Sequence, residues 1–365
     1  MAHGISRGCC VATAALTALL GVPAASFGQA SSTTTFSGQA YVVQATVPPL
    51  APIRISDTGP LPSTGGAEET SLLDLPPVSL GSAGGLNGAD VAHAAAIAQG
   101  NASRSEASVA DLSVTLVGNT ITAEFLMSNA AATCSGSSPS VSGNSDLTNL
   151  AVNNQSIPIS GATNQTVLLP LGAGKIVINE QSSSVSGQSG SMDVNALHVV
   201  ANDPTTPGAT LADVIVSHAH ADIGCPASPP PLPSCSTVST DFVTGGGWLP
   251  SPSNPNAKAS FAVAGGIKNG APWGHLLYVD HGNGLRAKGT GVTGYDVYPL
   301  FGPNGRKTTG LADVGGMSES YEADVADNGE PGRDLDQFQL LLGGSRVASH
   351  LLGGGNIQLH KPACQ

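Results

Sequence analysis

Two imidazoles and a carboxylate recur at every second position in His218-Ala219-His220-Ala221-Asp222, one residue after the apolar run Val214-Ile215-Val216. Histidine nitrogens and a carboxylate oxygen are good zinc ligands, and zinc-bound water is the nucleophile of metal-assisted hydrolysis. Alternate residues of a strand share one face, so His218, His220 and Asp222 point the same way. Ile215, Ala219, Ala221, Ile223 and Cys225 then form the opposite, apolar face, which belongs against a core. A solvated polar face is the simpler reading, with zinc as the alternative.

The string is similar to the HxHxDH zinc motif of metallo-β-lactamase-fold hydrolases. Ile223 stands where that motif has its last histidine, and the chain lacks the βα alternation that fold needs. Asp57-Thr58-Gly59 matches the triplet of aspartic proteases, which pair two such carboxylates as acid and base. There is one copy here and Pro60 follows it, so the segment reads as a turn. Leu61-Pro62-Ser63-Thr64-Gly65 matches the sortase pattern, far from the C-terminal setting that signal requires. Downstream, Asp324, Asp327, Glu330, Asp334 and Asp336 gather around Gly329 and Gly332. Such carboxylates could hold calcium, which takes six to eight oxygens, but their spacing is not that of an EF-hand. His275, Asp280 and His281, with Trp248 and Trp273, could line a pocket. There is no serine nucleophile elbow, phosphate-binding loop or dinucleotide fingerprint. Asn101, Asn154 and Asn164 each begin an N-x-Ser/Thr sequon, which matters only in a host that glycosylates.

The elements that must position these residues read as strands. Gly and Pro together number 73 of 365 residues, and 10% of the chain is charged. That composition suits many short strands joined by turns. Leu112, Val114 and Leu116 alternate with smaller or polar residues, Gly118-Asn119 supplies a turn, and Ile121, Ala123, Phe125 and Met127 return on one face. Ala89 to Ala98 is ambiguous between helix and strand and is read as strand. The proline-bearing stretch from Ile53 to Gly88 is expected to be mostly loop. The expected class is all-β: two β-sandwich or β-barrel-like domains joined by a Pro-rich linker.

The boundaries expected are a signal peptide over 1–30, a first domain over 31–225, the linker over 226–234 and a second domain over 235–365. Arg7, the apolar run Val11 to Val22 and the small residues Gly28 and Ala30 give the signal its three parts, with cleavage near Ala30. No later segment reaches about 18 continuous apolar residues, so no transmembrane segment is expected in the mature chain. The protein is read as secreted or extracytoplasmic, at the cell surface or in the periplasm.

Residues 31–234 hold 3 basic and 14 acidic side chains, and residues 235–365 hold 9 and 11. An acidic surface repels phosphate backbones, so no nucleic-acid partner is expected. Aromatics are split the same way: Phe36, Tyr41 and Phe125 in the first part, ten in the second. Four cysteines remain after residue 30, and they allow three pairings. Cys134–Cys225 and Cys235–Cys364 are chosen because each closes one expected domain.

Several strings resemble the choice-of-anchor P family of bacterial surface proteins. Over about residues 36–225 they are Phe36-Ser-Gly-Gln-Ala40, Asp57-Thr-Gly-Pro-Leu-Pro-Ser-Thr-Gly-Gly66, Ala130-Ala-Ala-Thr-Cys134, Asn149-Leu-Ala-Val-Asn153, Val177-Ile-Asn-Glu-Gln181 and Val194-Asn-Ala-Leu-His198. Phe242-Val-Thr-Gly-Gly-Gly-Trp248, Asn328-Gly-Glu-Pro-Gly332 and Gly354-Gly-Asn-Ile-Gln-Leu-His360 are similar to the small β-rich domain that often follows. The resemblance implies a surface protein and carries over no catalytic residues. The expected function is a secreted or cell-envelope structural or adhesive protein, without catalysis, whose partner is an unidentified envelope, matrix or glycan ligand. No cofactor is expected, calcium at the acidic loop being the exception. A carbohydrate- or calcium-dependent binding module is the first alternative, and a zinc hydrolase built on His218, His220 and Asp222 the second.

Overall fold

The computed structural model describes residues 34–206, 208–226, 241–268 and 270–361. The fold is all-β, in three antiparallel sheets. In chain order the first strands are β1 (Thr35–Thr46), β2 (Ile53–Asp57), β3 (Gly66–Leu75), β4 (Val78–Ser79), β5 (Gly84–Gln99), β6 (Ala102–Leu116), β7 (Asn119–Ser135) and β8 (Ser138–Thr148). They continue with β9 (Ala151–Val152), β10 (Gln155–Ser156), β11 (Gln165–Leu168), β12 (Gly174–Ser186), β13 (Ser189–Asn202) and β14 (Thr210–Gly224). The last nine are β15 (Phe242–Pro250), β16 (Lys258–Lys268), β17 (Ala271–Asp280), β18 (Leu285–Val297), β19 (Gly305–Val314), β20 (Met317–Ala326), β21 (Gln337–Leu342), β22 (Ser345–Leu351) and β23 (Gly354–His360).

An outer sheet runs β11-β12-β13-β14-β1-β2, and a middle sheet runs β10-β9-β7-β6-β5-β3, with β4 on β5 and β8 on β7. These two form a sandwich over an aliphatic core that includes Val42, Val109, Leu112, Leu126, Ile176, Leu197 and Val216. The nine later strands form one sheet, β22-β21-β20-β19-β18-β17-β16-β15-β23. It curls so that residues from all nine strands share one core around Phe261, Tyr278 and Phe338. The rings of Phe261 and Phe338 stack with centroids 4.0 Å apart. Among the described residues no helix is long and apolar enough to cross a membrane.

The curled sheet also covers the far face of the middle sheet. Val91, Ala110, Phe125 and Met127 of the middle sheet pack against Ala262, Leu277 and Val279. Ala95 and Ile97 meet Phe242. The middle sheet is therefore buried on both faces, which explains the alanine run of β5. Alanine is a poor strand former, but a doubly covered strand reads as a continuous apolar run and has no solvent face to alternate with. Every residue from Val91 to Ala98 is buried.

Four expectations change in detail. The stretch Ile53 to Gly88 contains β2, β3 and β4 and the start of β5, rather than being mostly loop. The two-residue turn between β6 and β7 is Val117-Gly118, both at positive φ, one position earlier than expected. The alternation on this hairpin reverses at Asp111, whose φ is 52°. Consequently Ile121 and Ala123 face the sandwich core, while Phe125 and Met127 face the curled sheet. Ser217 (φ 58°) does the same on β14, so Ile215 lies outside with the histidines while Val214 and Val216 are buried.

Cys134 at the end of β7 and Cys225 just past β14 form a disulfide that ties the middle sheet to the outer one. The proposed Cys235–Cys364 bridge, the signal peptide and residues 227–234 of the linker lie outside the described residues. Cys134 and Cys225 are themselves buried in a cluster with Phe36, Leu61, Ala221 and Ile223.

Candidate functional site

His218, His220 and Asp222 do share the outer face of β14, and each finds its neighbours across the sheet rather than along the strand. His218 is opposite Tyr41 and Asn195, and His220 is opposite Gln39 and Asp193. The His218 ring stacks on Tyr41 at 4.4 Å, and its Nδ1 lies 2.7 Å from Asn195 Oδ1. Burial pulls its pKa down to about 4, so the ring is neutral at physiological pH. His220 Nδ1 is 2.9 Å from Asp193 Oδ1, a contact that pushes the imidazole pKa up. Further along the same face, His198 bridges Asp213 (3.1 Å) and Glu180 (2.8 Å), which raise it to about 9. Each imidazole is thus engaged by a cross-strand partner of its own. The three residues do not converge on a common point with metal-ligand spacing. Asp57-Thr58-Gly59 forms a turn in which the Asp57 carboxylate accepts the Gly59 N–H at 2.9 Å.

The acidic segment is likewise dispersed. Asp336 accepts the backbone N–H groups of Asn328 (2.8 Å) and Ile357 (2.7 Å), and Asp327 accepts that of Leu359 (2.9 Å). Two carboxylates therefore clip the loop onto β23. Asp324 is fully buried on β20, where one oxygen accepts from Gln339 at 2.7 Å. Glu330 and Asp334 are exposed. Among the described residues these five do not form a group whose ligand atoms converge.

Burial pushes Asp324 up to about 6, against the Gln339 hydrogen bond. The folded chain therefore keeps this proton at pH values where the unfolded chain has lost it. The cost of the buried charge is full above about pH 6 and fades as pH falls towards the ordinary value of 3.8. Asp324→Asn keeps an acceptor for Gln339 and removes the charge. It should raise unfolding free energy at pH 8 by up to about 3 kcal/mol, and by nothing below about pH 4. Chemical denaturation at the two pH values reads this difference.

The convergent groups lie elsewhere, in the seam between the middle and curled sheets. Glu69 and Ser71 stand on β3, His93 on β5, Glu106 on β6 and His275 on β17. Strand pairing places Ser71 opposite His93 and Glu69 opposite Ala95, with Ala95 in turn opposite Glu106. Ser71 Oγ lies 2.7 Å from His275 Nε2, 2.8 Å from Glu69 Oε1 and 3.2 Å from His93 Nδ1. His275 Nδ1 is 3.0 Å from Glu69 Oε1, and His93 Nε2 is 3.4 Å from Glu106 Oε1. Glu69 is drawn down to about 2: burial opposes this, but the two histidines and Ser71 favour the carboxylate.

The order Ser71–His275–Glu69 is that of a serine–histidine–carboxylate relay. A hydroxyl, however, has one proton and two lone pairs, and three contacts use all of them. Ser71 is therefore a hub among its neighbours, with no lone pair held ready for attack. Gly246 of β15 passes directly over this region. A Cβ there would lie 2.5 Å from Ser108 Oγ and 3.6 Å from His93 Cδ2, so only glycine lets the curled sheet come this close.

Around the cluster, basic side chains of the curled sheet meet acids of the middle one. Lys258 pairs with Glu124 and also lies over the Trp248 ring at 4.1 Å. Arg286 pairs with Asp74 and lies 3.6 Å from Asp90, and Arg333 reaches Asp146 at 2.5 Å. His281 sits between Asp111 (3.0 Å) and Asp90 (3.4 Å), and Asp111 raises its pKa. Several of the acids that make residues 31–234 so negative are spent here.

His275 and His281 of the supposed pocket set face this seam, as Trp248 and Trp273 do at its two apolar patches. Asp280 is buried beside it, accepting from Ser253 Oγ (3.0 Å) and the Gly282 N–H (2.8 Å). The aromatics of the curled sheet thus serve cores and a seam rather than one open pocket. Glu69, Ser71, His93 and Glu106 carry no local sequence signal, because they come from three strands joined only by pairing. Comparison with known proteins gives no match to a family model, to a curated protein or to a solved structure.

Proposed function

We propose that the chain is an exported structural or adhesive component of a cell envelope or extracellular matrix, in keeping with its resemblance to choice-of-anchor P surface proteins. The observation that carries this reading is the Cys134–Cys225 bridge, which joins the two sheets of the sandwich. A buried structural disulfide belongs to an oxidising compartment. Two further features support it. Lys258, Arg286 and Arg333 of the seam are engaged with acids of the middle sheet, and the imidazoles of the outer face each have a cross-strand partner. Such an arrangement makes a rigid plate of three sheets.

Fractionation of producing cells tests the proposal. Mass spectrometry should find a mature N-terminus near Ser31 and an intact Cys134–Cys225 peptide in the envelope, periplasm or medium. A full-length, reduced chain confined to the cytoplasm would overturn the reading. Hydrolysis of activated ester, amide and phosphate substrates should be no faster with the wild type than with His218→Ala or Ser71→Ala. Turnover lost in either variant would contradict the non-catalytic role.

A further inference from the structure

We propose that Glu69, His93 and His275 bind a zinc ion in the seam between the middle and curled sheets, with Ser71 at the fourth position and Glu106 orienting the His93 ring. The ligand atoms of the three residues lie within 4.8 Å of one another. Glu69 Oε1 is 3.0 Å from His275 Nδ1 and 3.8 Å from His93 Nδ1. A tetrahedral zinc site with bonds near 2.0–2.2 Å places its ligands roughly 3.3–3.6 Å apart, so only the wider separations have to close, by about an ångström at most. Two imidazoles and one carboxylate form a recognised donor set for this ion, and the imidazoles favour it over calcium or magnesium.

The second shell points the same way. His93 is fully buried, with Nδ1 turned to the cluster and Nε2 towards Glu106. A metal-bound histidine characteristically donates its other ring N–H to a carboxylate, which fixes the tautomer and the ring plane. Glu106 is 2% exposed, and neither of its oxygens accepts a hydrogen bond. His93 Nε2 is also without one. A buried carboxylate left in this state is costly, and a dication one residue away offsets the charge of Glu69 and Glu106 together. Zinc binding asks little of Ser71 beyond exchanging its two imidazole contacts for the ion.

The other convergent group, Asp90, Asp111 and His281, does not call for a metal. Arg286 already brings a cation to Asp90, and the three residues are partly open to solvent. The site proposed here joins β3 and β5 to β17, so the ion would fasten one sheet to the other. It owes nothing to the outer-face histidines, and its failure would leave the export reading intact.

The test uses the full mature chain with its disulfide formed, stripped with a chelator and titrated with zinc chloride. About one equivalent should bind and raise the melting temperature, as expected where metal binding couples to folding. Cobalt should give the visible absorption of a tetrahedral site. His93→Gln and His275→Gln should abolish both effects. Glu106→Gln should keep the stoichiometry but lower affinity about 10- to 100-fold. His218→Gln/His220→Gln should change nothing. If the ligand variants fail to fold, side-chain nitrogen shifts of His93 and His275 on zinc addition to the wild type decide the matter. No stoichiometric binding, unmoved His93 and His275 resonances, or loss of binding in the His218/His220 variant would overturn the proposal.

Discussion

Replacing Cys134 and Cys225 together by alanine should lower the unfolding free energy by about 4–5 kcal/mol on the chain-entropy argument for a loop of this length. The two residues are 91 positions apart, so the bridge removes a large set of open conformations from the unfolded chain. Little else compensates at that end of the sandwich. The surrounding cluster is Phe36, Leu61, Met192, Val194 and several alanines, and small side chains bury little apolar area each. A urea titration should show a lower midpoint, together with a steeper slope, because the released chain expands and exposes more surface. A loss below about 1 kcal/mol would mean that the bridge does not constrain the unfolded state as argued.

The second large effect is expected at Arg306. Its guanidinium and the Asp241 carboxylate pair at 7% and 8% side-chain exposure. Arg306 Nη1 also donates to the carbonyls of Gly305 (2.8 Å) and Pro303 (3.2 Å), and Tyr295 Oη donates to Asp241 at 3.0 Å. Asp241 immediately precedes β15, so this network anchors the entry of the chain into the curled sheet. Arg306→Met removes the cation and leaves Asp241 charged and buried, a loss of about 3–5 kcal/mol. The double variant Asp241→Leu/Arg306→Met should recover most of that loss, since neither charge then has to be buried. Equal losses in the single and double variants would show that the carbonyl contacts of Arg306, rather than its charge pair, hold this corner.

Much of the fold follows from local pattern. The alternation of Leu112, Val114 and Leu116 and the apolar run into His218 both lie in strands, and a two-residue turn follows Leu116. What the pattern missed were strands whose sides are polar for a tertiary reason. β3 carries Glu68, Glu69, Thr70 and Ser71, and reads as loop until the curled sheet is laid over it. β8, rich in serine, has an edge position on β7 and includes Pro139, which an edge tolerates. Phase changes at Asp111 and Ser217 were also illegible, because a single left-handed residue flips every side chain beyond it.

The same reason hid the candidate site. His275 and His281 could be picked out as chemistry in a β-rich segment, but their partners could not. Glu69, His93 and Glu106 become neighbours through the pairing of β3, β5 and β6, and His275 joins them from 182 positions beyond His93. The His218-Ala-His220 string is legible in the sequence because it is local. Locality on a strand, however, sends each imidazole to a different cross-strand neighbour, Asn195 for one and Asp193 for the other. The charge split between the two parts of the chain was visible as a number. Its meaning lies in Asp74, Glu124 and Asp146, which receive Arg286, Lys258 and Arg333.

The disulfide on one side and the charged seam on the other should lock the three sheets into one rigid body. Differential scanning calorimetry of the oxidised full chain shows whether they melt together. One transition is expected, with agreeing calorimetric and van't Hoff enthalpies, moving as a whole to lower temperature in Arg286→Ala or Arg333→Ala. Two separate transitions, with the residues beyond 241 melting independently of the sandwich and unaffected by those substitutions, would contradict it.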